Sequence, residues 1–172
     1  MVPIRKGDGT GLAAKGYSQV RKGDGTVLWN AIPDSVVTRP DDDDSTSVSG
    51  DGIRFESSEP YSAMGFTISA NTSGQETATI VNRETDTTIG SKDISGLSAG
   101  DSFTIEADIE ANTTYAIIFE ADGDLLTGGF IDNLDYPIVG PNGILQITSG
   151  DVGGSEDSRA HCVVSVGNVG FD

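Results

Sequence analysis

From residue 103 to residue 110, apolar and polar positions alternate without a break: Phe103-Thr104-Ile105-Glu106-Ala107-Asp108-Ile109-Glu110. A period of two is that of a half-buried β-strand, apolar side inward. Asn112-Thr113-Thr114 reads as a turn, and Tyr115-Ala116-Ile117-Ile118-Phe119-Glu120 as the returning strand. Phe66 to Ala70 alternates in the same way. Thr77 to Val81, Ile144 to Thr148 and Ala160 to Val166 are further strands, and Arg54, Phe55 and Glu56 fall in the first. Roughly eight short strands separated by turn residues predict an all-β protein, a two-sheet sandwich of jelly-roll type over residues 51–172.

The first thirty-two residues follow another scheme. RKGDGT occurs twice, from Arg5 to Thr10 and from Arg21 to Thr26. Tyr17 to Lys22 is a strand, Gly23-Asp24-Gly25 a tight turn that glycine permits, and Thr26-Val27-Leu28-Trp29 the return. Val2 to Lys6 and Gly7-Asp8-Gly9 open a weaker copy. Two such hairpins are marginal alone. Leu28, Trp29 and Ile32 are the apolar groups with which they can bury against a partner.

Residues 33–50, PDSVVTRPDDDDSTSVSG, read as a linker. Two prolines, the run Asp41 to Asp44 and the Ser/Thr stretch make a self-repelling, solvated spacer. The aspartates lack the spacing of a calcium loop.

Charge sharpens this division. The chain has 172 residues and a formal charge of −17, from 27 acidic and 10 basic residues. Residues 1–32 hold Arg5, Lys6, Lys15, Arg21 and Lys22 against Asp8 and Asp24, a net +3. The remaining five basic and twenty-five acidic residues leave −20, with Lys92 the single lysine. Such a body repels itself at low salt and does not suit nucleic-acid phosphates. At molar salt the screening length falls to about 3 Å, so the composition points to a halophilic setting.

Cys162 is the only cysteine, which excludes an intrachain disulfide. No stretch is apolar enough to span a membrane. MVPIRKGDGT has no apolar core, so a cleaved leader is not expected.

Little else points to chemistry. His161, the only histidine, is out of phase with Cys162, Val164 and Val166 and is expected to face solvent or a neighbour. Cys162 is expected in the core as a small hydrophobe. Glu106 and Asp108 share the exposed face of one strand, as a solvated acidic surface rather than a glycosidase pair. Asp122-Gly123-Asp124 and Asp132-Asn133-Leu134-Asp135 are loop clusters that could hold a structural cation; no other cofactor is expected. Asn71-Thr72-Ser73 and Asn112-Thr113-Thr114 are sequons in turns, which makes Asn71 and Asn112 candidate glycosylation sites. GDGTG at Gly7 to Gly11 looks like a phosphate loop but is followed by no helix. No nucleophile motif is present, and an enzyme is not expected.

A strand, a glycine turn and Thr-Val-Leu-Trp, here Thr26-Val27-Leu28-Trp29, resemble the short hairpin repeats of minor tail and fibre proteins of tailed viruses. The resemblance covers residues 1–32. It implies a virion protein whose amino-terminal module anchors it to the particle and whose sandwich is displayed outward. With the acidic body, it implies a virus of haloarchaea. The anchor would comprise Arg5, Lys6, Arg21, Lys22, Leu28, Trp29 and Ile32. A positive segment suits acidic neighbours, while at molar salt the apolar members would carry most of the binding.

Four functions follow from these readings. A tail fibre or spike, possible in contact with host surface glycoprotein or glycan, stands first. A capsid turret or decoration protein uses the same anchor logic. A cellular carbohydrate-binding or cell-surface module would want an export signal and exposed aromatic rings. A glycan-cleaving enzyme would want a cleft with paired perturbed groups. A virion location fits best, with other virion proteins as partners and a homo-oligomer, trimer or pentamer, as the expected assembly.

Overall fold

The computed structural model describes residues 19–21, 27–30, 35–41, 44–48, 50–121 and 126–167. The chain divides into two compact units, Met1–Pro33 and Asp34–Asp172.

In the first unit, β1 (Gln19–Arg21) pairs antiparallel with β2 (Val27–Asn30). Val20 lies opposite Trp29, and the register shifts between Val20 and Arg21. Arg21, the first residue of the second RKGDGT copy, ends β1, and the rest of that copy falls outside the described residues. The first copy falls outside the described residues.

The second unit is all-β and sandwich-like. Its strands are β3 (Val36–Thr38), β4 (Ser45–Val48), β5 (Asp51–Ser57), β6 (Tyr61–Ile68), β7 (Thr77–Asn82), β8 (Thr87–Asp93) and β9 (Ser102–Ile109). They continue with β10 (Tyr115–Glu120), β11 (Leu126–Ile131), β12 (Ile138–Val139), β13 (Leu145–Val152), β14 (Ser155–Asp157), β15 (Ala160–His161) and β16 (Val163–Gly167). The large sheet runs β12-β13-β5-β10-β7-β8, with β14 on β13. A second sheet runs β3-β16-β6-β9, and a third, smaller one β15-β11-β4. Every pairing is antiparallel. No helix among the described residues is long and apolar enough to cross a membrane.

The inner faces meet through an aromatic chain. Phe55 of β5 contacts Phe66 of β6 edge-on at 5.8 Å and stacks on Tyr115 of β10 at 5.9 Å. Phe66 continues to Phe103 of β9 at 5.7 Å, and Phe103 to Phe119 of β10 at 5.9 Å. All five rings are buried. Because they come from both large sheets, they join the two layers as well as filling the space between them. The alternation of β9 holds: Phe103, Ile105, Ala107 and Ile109 are buried while Glu106 and Asp108 face solvent.

Two expectations are corrected. The segment expected as a spacer supplies strands β3 and β4, and its Val37, Val48 and Arg39 are buried. Asp41 is exposed as expected, and it also accepts the Ala70 amide at 2.8 Å and lies 3.4 Å from Arg39 Nη1. One apolar residue at each right position is enough for a short edge strand, and the flanking aspartates hide that signal. His161 is buried as well, 1% exposed. Cys162 adopts φ 61°, a left-handed conformation that ends β15 and starts β16 in a different sheet. The break resets the alternation, so His161, Cys162 and Val163 all lie inside.

Candidate functional site

Of the proposed anchor, Arg21 lies in β1, and Leu28 and Trp29 lie in β2. Arg5, Lys6, Lys22 and Ile32 fall outside the described residues.

The sandwich uses its arginines internally. Asp151 of β13 is wholly buried between two of them. Arg54 of β5 donates from Nε to Asp151 Oδ2 at 2.8 Å, and from Nη1 to Glu156 of β14 at 3.0 Å. Arg83, just past β7, donates from Nε and Nη2 to Asp151 at 2.9 and 2.6 Å. Arg83 also pairs with Asp86 at 3.6 Å. The cluster pins β5, β13, β14 and the β7–β8 turn together. Arg159 pairs with Asp157 through two hydrogen bonds, which hold the Asp157 carboxyl well below the usual carboxylate range. With Arg39 on Asp41, each arginine from residue 39 onward is bound to a carboxylate. The outward face is therefore dominated by carboxylates, and Lys92 is its one lysine.

A second polar group lies inside. The Arg39 guanidinium is buried; Nε donates to Val163 O at 2.6 Å and Nη1 to Pro40 O at 2.8 Å, while Nη2 has no hydrogen-bond partner. Burial lowers the Arg39 pKa, with Asp41 opposing. Burial pushes the Tyr136 phenol up to about 12, against the pull of Arg39. Neither His161 ring nitrogen has a hydrogen-bond partner. The ring stacks on Phe130 at 5.7 Å. Burial lowers the imidazole pKa and raises that of the Cys162 thiol. Imidazole and thiol are thus both held neutral, which opposes a thiolate–imidazolium pair. Of these groups, Arg39 holds β16, through its Nε on Val163 O and its amide on Val164 O at 2.9 Å.

Asp132 and Asp135 are exposed, and Asp122 and Asp124 fall outside the described residues. Among the described residues, no three His, Cys, Asp or Glu side chains group closely enough to hold a metal ion. Asn71 and Asn112 are exposed in turns with φ 59° and 57°, a backbone that asparagine tolerates. Both sequon side chains therefore stand clear of the core.

Sequence reasoning missed the Asp151 cluster and the buried Arg39 guanidinium on β16. Their partners lie tens of residues apart and carry no local pattern. The one available signal was compositional: an arginine retained in a strongly acidic body has a specific carboxylate to hold.

No family model matches the chain, and no curated protein matches it.

Proposed function

We propose that the protein is a structural component of a virus particle, a tail fibre or spike. Its amino-terminal unit attaches it to the particle, and its β-sandwich is displayed for contact with the host surface. The observation that carries this reading is the coincidence of two boundaries. The chain divides at Pro33/Asp34 into compact units, and the charge changes there from net +3 to −20. A small basic unit followed in sequence by a larger acidic sandwich suits a plug and a displayed head.

The sandwich supports a display role in its own right. Its arginines are spent on internal ion pairs, so its surface charge is almost uniformly negative. Such a strongly hydrated acidic surface stays soluble where concentrated salt screens the repulsion within it. The test is immunogold labelling of intact particles in high-salt buffer with an antibody against residues 51–172. Gold on the tail or its tip is expected. Gold clustered at head vertices would replace the fibre with a capsid turret, and absence of the protein from particles by mass spectrometry would overturn the reading.

A further inference from the structure

Strand β15 is two residues long and lies at the end of its sheet. His161 and Ala160 face Phe130 and Ile131 of β11, the one neighbour of β15 in that sheet. So small a pairing belongs to the weakly held end of a fold. The chain then turns sharply. Cys162 takes a left-handed φ of 61°, which a residue with a Cβ adopts only at a cost. Its side chain is wholly buried.

The residue that closes this strand is poorly matched to its place. His161 is 1% exposed, and its ring stacks on Phe130 at 5.7 Å. A neutral imidazole carries one N–H donor and one acceptor nitrogen. Neither Nδ1 nor Nε2 has a hydrogen-bond partner. Protonation would make both nitrogens donors and add a charge where no acceptor or water meets it.

The charged groups around the ring do not compensate. Asp51 at the start of β5 and Asp157 of β14 favour the charged ring. Arg39, just past β3, and Arg159, just before β15, oppose it. Burial outweighs them all and keeps the enclosed ring neutral. A ring released to water regains a pKa near 6.5. Acid therefore favours release. The opening need not spread, because the aromatic core is built on β5, β6, β9 and β10, and none of these pairs with β15.

We propose that His161 is an acid-operated latch: on taking up a proton the ring leaves Phe130, β15 parts from β11, and the β15–β16 corner opens while the rest of the sandwich stays folded. Opening uncovers Phe130 and the Cys162 thiol. The device belongs to the sandwich alone and does not depend on the attachment role proposed above.

Cys162 is the only cysteine, so its thiol reports the opening. The purified full chain in 3 M KCl is treated with dithiodipyridine, which reacts with thiols in mild acid as well as at neutral pH. The rate at each pH is divided by that of the same chain unfolded in urea. This ratio should rise roughly tenfold from pH 7.5 to pH 5, the span over which a released ring takes up its proton, while circular dichroism stays native. His161→Phe should flatten the profile. Hydrogen exchange of the wild type, read by mass spectrometry, gives a second measurement that needs no variant. After correction for intrinsic rates, residues 128–131 and 158–163 should lose protection at pH 5 while β5 and β10 keep theirs. A ratio that does not change with pH, the same rise in His161→Phe, or an equal loss of protection across β5 and β10 would each overturn the latch.

Discussion

Arg83 grips Asp151 with two hydrogen bonds, Nε at 2.9 Å and Nη2 at 2.6 Å, although 68 residues separate them in the chain. The carboxylate has no solvent exposure, and Arg54 holds it from the other side at 2.8 Å. Replacing Asp151 with alanine strands two largely buried guanidinium groups. Breaking a buried pair from one side costs about 3–5 kcal/mol. Asp151→Ala should therefore lose that much in urea unfolding, and the loss should persist in molar salt, because buried pairs are poorly screened. A loss below about 1 kcal/mol would show that the cluster is not a structural clasp.

Gly129 of β11 gives a second, purely steric prediction. A Cβ built there would lie 1.7 Å from Ala70 O and 2.8 Å from Ser69 Oγ. Backbone must move to admit it. Gly129→Ala should destabilise the protein by at least about 2 kcal/mol. Gly96→Ala, where a Cβ meets nothing within 4 Å, should change stability by less than about 0.5 kcal/mol. Equal melting temperatures for the two variants would refute the packing described.

His161 sets a pH dependence. Burial lowers its folded pKa, opposed chiefly by Asp51, while Arg159 and Arg39 push the same way as burial and Asp157 against it. The unfolded chain therefore takes up a proton first, near pH 6.5. The stability held by the neutral ring is present in full above that pH and is lost as pH falls toward the folded value. Melting temperature should decline from pH 7 to pH 5 in wild type and less in His161→Phe. A second decline below about pH 4 belongs to carboxylates such as Asp157, whose folded pKa is depressed. An identical slope between pH 7 and pH 5 in both proteins would remove His161 from the account.

Salt should act on the surface as a whole. A body at −20 with its arginines already engaged has strong self-repulsion that added ions relieve. The melting temperature should climb between 0.1 and 3 M KCl, by about 2–4 °C for each kcal/mol of repulsion relieved. Falling or flat stability over that range would contradict a halophilic surface.

The layered fold was legible wherever one strand face is fully buried. Phe103 to Ile109 writes its alternation directly into the sequence, and Tyr115 to Phe119 is a continuous apolar run after a turn, because each must present an apolar face to the aromatic core. Edge strands were not legible. In β8, Thr87 to Asp93 is exposed or half-buried throughout, so nothing imposes a pattern. In β3 and β4, a single buried valine apiece was outweighed by prolines and aspartates. The orientation of His161 was misread because the period of two was carried through Cys162, where a positive φ breaks it.

In the proposed role the amino-terminal unit alone carries attachment. The direct measurement is particle incorporation of the full chain against a truncation beginning at Asp34, quantified by mass spectrometry of purified particles in high salt. Circular dichroism verifies that the truncated sandwich is folded. Particles should hold abundant full-length protein and none of the truncation. Equal incorporation of the folded truncation would contradict this role and move the attachment surface onto the sandwich.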